Sequence, residues 1–230
     1  MSTNIRISFP LLIRYTIGIM RIPFPKVNQV ILVIIIAEFI FITGFGFLPP
    51  LFAVFVTNNI VGGSIAVVGF ALTIYWVTKS IVQLFVARYI DRNHGEIDDF
   101  HFFLAGGLLN AVLVTLYYFA QTPFHIYTLH FLIGIGDALW VPPFYAIFTR
   151  HIDKEREGFE WSLYSSFSIG AGSALGAAVG GILGTVVGFR AVFPFVGVLT
   201  LIATILLFFL KPYIKPKVPK EVMRVFIEKK

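Results

Sequence analysis

The sequence predicts an all-α membrane protein of six transmembrane helices, and three observations predict it. Of 230 residues, 57% are hydrophobic and only 13% are charged, about half the charge of an ordinary soluble domain. Mean hydropathy is +0.86. The apolar residues gather into six runs, each long enough to cross about 30 Å of hydrocarbon at roughly 20 residues per crossing, and the charges fall between them. An open sheet leaves its edges unsatisfied in lipid, so the runs are helices.

Residues 1–27 form a basic, interfacial segment. Within it "LLIRYTIGIMRI" (11–22) lies between Pro10 and Pro23, is too short to span, and puts Arg14, Gly18 and Arg21 on one face. That pattern reads as an N-terminal amphipathic helix lying in the interface. Arg14 and Arg21 interrupt its apolar part and no small-residue cleavage site follows, so the expectation is that it is retained rather than removed as a leader. The transmembrane domain, 28–210, holds spans at approximately 28–56, 65–88, 100–120, 124–148, 162–187 and 190–210. The first is longer than a crossing needs. Its "FLPPLF" (Phe47 to Phe52) is expected to bend it, because Pro49 and Pro50 each remove a backbone donor. Residues 211–230 read as a basic tail, a proline-punctuated linker followed by a short basic helix.

Lys and Arg set the orientation. Sixteen of the eighteen fall in the N-terminal segment, the loops after spans two and four, and the tail; Lys79 lies inside a span and Arg190 on the other side. Both termini are therefore expected on the cytoplasmic side of a multi-pass protein of the cell membrane. This topology, with attraction to anionic headgroups, accounts for a net charge of +6 and a pI near 9.6, so nucleic acid is not the expected partner. No cysteine is present, which excludes disulfides and thiolate metal sites, and five scattered His lack ligand spacing. No metal or cofactor is predicted. Nor is an enzyme, for no nucleophile has a nearby base, and the glycine runs "GIGDAL" and "GAGSALG" lie inside spans that a dinucleotide cannot reach.

Ionisable residues inside spans ask for a function, since each costs roughly 2.5 to 3.5 kcal/mol at a helix centre. Glu38, Lys79 and Asp137 are three such residues. At 1.5 Å rise per residue they lie roughly 15, 13 and 16 Å from their cytoplasmic helix ends, and Asn110 of span three about 15 Å from its own. All four share the midplane, where a small solute and its coupling ion would be held. Lys79 pairs with Glu38 or with Asp137. Either way one carboxylate is left over, to take a proton, hold a cation or meet a cationic solute. Glu38 and Asp137 are the proton-coupling candidates, with Lys79 tuning them. Gln83 reads as a helix-to-helix hydrogen bond rather than a ligand, His125 and His130 as solvated interface histidines, and the roles of Trp76, Trp140 and Trp161 stay open between cavity wall, interface anchor and packing.

Three stretches carry a resemblance. "ARYIDRNHGE" (Ala87 to Glu96), after span two, is similar to a G-x-x-x-D-R-x-G-R loop: Asp91, Arg92 and Gly95 match, while Ala87 replaces the first Gly, one residue is inserted, and Glu96 stands where a basic residue is usual. "HFLIGIGDALWVPP" (His130 to Pro143) is similar to R-x-x-x-G-x-G-x-A-x-x-x-P, with Gly134, Gly136, Ala138 and Pro142 in place and His130 where Arg would be. "GSALGAAVGGILGTVVGF" (Gly172 to Phe189) is similar to G-x-x-x-G-P-x-x-G-G through Gly172, Gly176, Gly180 and Gly181, Ala177 replacing Pro, and "GFRAVF" then resembles a G-W-R-x-x-F turn into span six. Together they resemble the major facilitator superfamily. The resemblance implies one six-helix half of the major facilitator fold and solute transport by alternating access. It also implies an inner gate in which Asp91 and Arg92 meet the charged loop Thr149 to Glu160.

Glycines four apart, with Gly184 extending the row, make a flat groove for close helix contact in lipid. Span five is thus a packing surface, either static or sliding during transport. Since the family carries two such halves in one chain, the expectation here is a homodimer, or pairing with a second transporter half, in the lipid bilayer. The competing reading is a membrane interaction or assembly protein derived from a transporter half, its midplane charges serving as internal glue.

Overall fold

The computed structural model describes residues 26–93 and 95–216. The amphipathic helix expected at 11–22 and the helix expected near the end of the tail lie outside the described residues. Six helical spans cross in sequence: Gln29–Asn59, Ile65–Arg92, Glu96–Phe119, Pro123–His151, Glu157–Val186 and Phe189–Tyr213. Boundaries differ from the expected ones mainly where polar residues extend a helix past the hydrocarbon, as at Glu157 and His151.

Span one is two helices, Gln29–Phe45 and Leu48–Asn59. The chain breaks at Gly46 and Phe47. Pro49 and Pro50 sit in the first turn of the second helix, where amide hydrogens have no helical partner anyway. They therefore start that helix, and the break precedes them. Asn28 caps the first, its Oδ1 accepting from Ile31 N at 3.0 Å while its Nδ2 donates to the His151 carbonyl at 2.6 Å. Span four runs unbroken through Pro142 and Pro143. Span five begins as Glu157–Leu163, passes through a π-helical stretch Tyr164–Ala171, and continues as Gly172–Val186.

Small residues set the packing. Gly172, Gly176, Gly180 and Gly184 are buried in a row along span five and face the broken part of span one. A Cβ on Gly176 would stand 2.9 Å from Gly46 Cα, and one on Gly180 2.6 Å from Phe47 Cα. Backbone touches backbone, and that contact holds the spans together where lipid gives no hydrophobic drive. Gly181 departs from the expected packing set. It lies off this face, with open space where a Cβ would be. Gly176→Ala is accordingly expected to destabilise the bundle by about 1–3 kcal/mol, and Gly181→Ala to change it by no more than about 0.5 kcal/mol, measured by unfolding in mixed micelles.

The buried apolar residues form two clusters, one around Phe55, Val114 and Val196, the other around Ile34, Phe103 and Phe148. Arg190, the basic residue on the other side and the Arg of the "GFRAVF" turn, ties the first cluster's end. Its guanidinium donates to the carbonyls of Tyr118 (2.9 Å), Ala120 (2.7 Å) and Asn59 (2.8 Å), over the Phe55 ring. These are carbonyls at the ends of spans one and three that no helical amide reaches. Arg190→Ala should cost about 2–4 kcal/mol, read as lowered unfolding midpoint, with Lys recovering only part because it lacks the fork.

Candidate functional site

Of the polar residues expected at one depth, Lys79, Asn110 and Asp137 come together, while Glu38 bonds Trp140 instead. Asp137 is the hub. Its Oδ2 accepts from the Tyr75 hydroxyl and from Lys79 Nζ at 3.2 Å, and its Oδ1 accepts from Asn110 Nδ2 at 2.8 Å. Lys79 Nζ also donates to the Tyr75 hydroxyl at 3.1 Å and lies 5.3 Å from the Trp76 ring. The ammonium thus spends its charge on Asp137, not on Glu38.

Two glycines let these side chains converge. A Cβ on Gly134 would stand 2.9 Å from the Tyr75 carbonyl, and one on Gly136 2.8 Å from Asn110 Cγ. Span four therefore carries glycine at the two positions where span two and Asn110 approach its backbone. The G-x-G pattern of the fourth span has a packing reason here.

Glu38 is 4% exposed. Trp140, one turn beyond Asp137 on span four, donates its indole Nε1–H to Glu38 Oε1 at 2.7 Å, and the Tyr164 hydroxyl of span five also faces the carboxylate. The indole is fixed by rings on both sides, Phe41 stacked at 4.4 Å and Phe103 edge-on at 4.3 Å. Among the described residues no cation pairs with Glu38. Its hydrogen-bond neighbours are neutral. Tyr164 and Ser168, which donates to the Ile35 carbonyl at 2.8 Å, both point at span one from the π-helical stretch.

Tyr75 and Tyr164 are not singled out by the sequence, and Trp140 is left open there between cavity wall, interface anchor and packing. For two of them a signal existed: Tyr75 is four residues before Lys79 and Trp140 three after Asp137, on the same helix faces. Trp140 is packing and donor together, Trp76 stands 58% exposed beside Lys79, and Trp161 joins the rings of Phe144 and Phe148. Gln83 makes no side-chain hydrogen bond among the described residues and lines a cavity with Asp91 and Arg150 between spans two and four.

The histidines divide. His125 is exposed and completes a capping box with Thr122 at the start of span four. His130, expected to be solvated, is 9% exposed, with Nδ1 2.5 Å from the Tyr117 hydroxyl and 3.1 Å from the Ile126 carbonyl. Span three covers it, which helical position alone does not reveal.

At the end of the bundle near Arg150, the side chains of Asp91 and Arg92 are exposed. The ion pairs found there join Arg150 to Asp99 and bring His151 Nδ1 within 3.6 Å of Glu96 Oε1. Gly95 is buried at the start of span three. Glu96, the departure from the loop pattern, exchanges bonds with the segment after span six: its N–H donates to the Lys215 carbonyl at 3.0 Å and its Oε2 accepts from Lys215 N at 2.9 Å. A basic residue could not accept that amide.

The family model described as Major Facilitator Superfamily matches residues 34–228. Among solved structures, the fold is similar to an in meso crystal structure of the POT family transporter PepTSo, with a TM-score of 0.69 at 18% identity, over 85% of this chain and 40% of that one. The chain thus spans less than half the length of that transporter. No curated protein matches. Six apolar spans, the half-length likeness of fold and a family model covering most of the sequence lead to one conclusion: the chain belongs to the Major Facilitator Superfamily, a family of transporters and not of enzymes.

Proposed function

We propose that this protein is one half of a solute transporter that works by alternating access, coupled to protons through Glu38. One observation carries the reading. Lys79 is matched by Asp137, so Glu38 is the carboxylate left over, buried among spans one, four and five with neutral donors only. Helix glue needs no such group. A carboxylate in that setting must take a proton, hold a cation or meet cationic cargo. The proton is the simplest of these, and Trp140 and Tyr164 can hold either form. Asp137 is the second candidate, reachable when Lys79 moves away.

The second half is a second copy of this chain. Spans two and five support this: only 17% and 22% of their most apolar windows are buried, against 44–56% in the other four. Those two spans carry the faces for which one bundle has no partner, and halves that share orientation pair about an axis along the membrane normal. Cytoplasmic termini, supported by the Lys and Arg balance, give both copies that orientation. The solute would sit near the midplane belt, facing the shared cavity.

The test needs no known solute. An infrared difference spectrum between acid and alkaline medium should show a buried carboxyl band that disappears in Glu38→Gln. A spectrum unchanged by that substitution and by Asp137→Asn would remove the proton from the account.

A further inference from the structure

We propose that the aromatic cavity between spans one, two and four binds the ring-bearing apolar body of a neutral solute that donates one hydrogen bond to His130 Nε2. The cavity has a volume of about 410 Å³, within the range of small-molecule sites. Its walls are largely rings, among them Phe45, Phe52, Trp76 and Phe193, and no Lys, Arg, Asp or Glu lines it. A charged solute would lose its hydration there for nothing, so the occupant is neutral.

His130 decides what polar group the occupant carries. The Ile126 carbonyl, 3.1 Å from Nδ1, can only accept, so the tautomer that satisfies it is assigned: the hydrogen on Nδ1, which leaves Nε2 an acceptor. The Tyr117 hydroxyl shares Nδ1 from the other side. Among the described residues no protein group bonds Nε2, and the atom is not sealed inside the protein. An acyl chain would fill the apolar walls and leave this acceptor unmet. A lone water would find too few polar partners in such walls. A ring carrying one O–H or N–H meets both demands. The mouth lies at Ala53, Leu72 and Trp76, and the last two are 43% and 58% exposed. At the inner end the Tyr75 ring lines the cavity while its hydroxyl holds Asp137, and the Trp76 ring beside it lies 5.3 Å from Lys79 Nζ, so an occupant touches the midplane cluster through these two residues.

This assignment rests on the transport reading only in calling the occupant cargo; binding is measured without flux. The experiment titrates the full chain in nanodiscs with 2-naphthol, a fused ring with one hydroxyl, and with 2-methoxynaphthalene, the same ring without the donor, each corrected for partition into empty nanodiscs. The expected result is one saturable 2-naphthol site per chain, weakened about tenfold for the methoxy compound and by a similar factor in His130→Phe. Ala53→Trp, at the exposed mouth and away from the buried Tyr117–His130 pair, should abolish the site in a folded protein. Equal binding of the two probes, or 2-naphthol binding unchanged in both variants, overturns the proposal and marks an apolar slot for lipid. No saturable binding also overturns it while leaving the Glu38 experiment untouched. Saturable, donor-dependent binding supports the site even where proteoliposomes show no flux, and that pair of results would count against transport alone.

Discussion

Asp137→Ala is expected to destabilise the bundle by about 3–5 kcal/mol, the cost of leaving a buried charge without its partner. Lys79 and Asp137 have side chains only 15% and 11% exposed, and removal of the carboxylate strands the ammonium, the Tyr75 hydroxyl and Asn110 Nδ2 together. Lys79→Met alone should cost less, because Asp137 keeps two neutral donors and can accept a proton. The double variant should recover most of the loss, since a buried pair replaced by apolar groups is often neutral. Unfolding midpoints of the three variants in mixed micelles give the comparison. A loss below about 1 kcal/mol for Asp137→Ala would mean that Lys79 reaches water unaided, and that the cluster does not lock spans two, three and four.

Glu38→Gln is expected to leave the fold within about 1 kcal/mol of the parent and to abolish any proton-driven accumulation, while exchange of solute across the membrane persists. The amide keeps an oxygen for the Trp140 indole, whose rings remain stacked as before. What it loses is the exchangeable proton. Glu38→Leu separates packing from chemistry: it too cannot carry a proton, and it leaves the indole N–H without an acceptor in a dry core, a further cost of about 1–3 kcal/mol. Accumulation against exchange in proteoliposomes under an imposed pH gradient distinguishes the two effects. Accumulation that survives in Glu38→Gln would place the coupling elsewhere, with Asp137 next in line.

The six spans were legible because they follow from run length, and a fixed rise per residue was enough to bring Lys79, Asn110 and Asp137 near one another. Which carboxylate takes Lys79 was not. That choice depends on how spans one, two and four are rotated about their axes, and no single-helix pattern records rotation between helices. Gly172, Gly176, Gly180 and Gly184 are buried against span one, because a spacing of four keeps residues on one side of a helix. Gly181 breaks that spacing, and the structure puts it on the other side of the helix. His130 was misread for a related reason: its cover, Tyr117, comes from another span. The π-helical stretch that turns Tyr164 toward Glu38 leaves no mark in hydropathy, which reports a turn of 3.6 residues and little about a local widening. Arg190 was visible as the lone basic residue on its side, but its three acceptors are carbonyls, which every residue carries and no sequence displays.

If the chain works as one half of a paired transporter, its assembly should hold two copies, and native mass spectrometry of the protein in nanodiscs reads that number. The expected species has two chains, each of 25.8 kDa, survives dilution, and is lost when bulky charges are placed on the exposed faces of spans two and five. A single chain that catalyses solute exchange by itself at high dilution would contradict it.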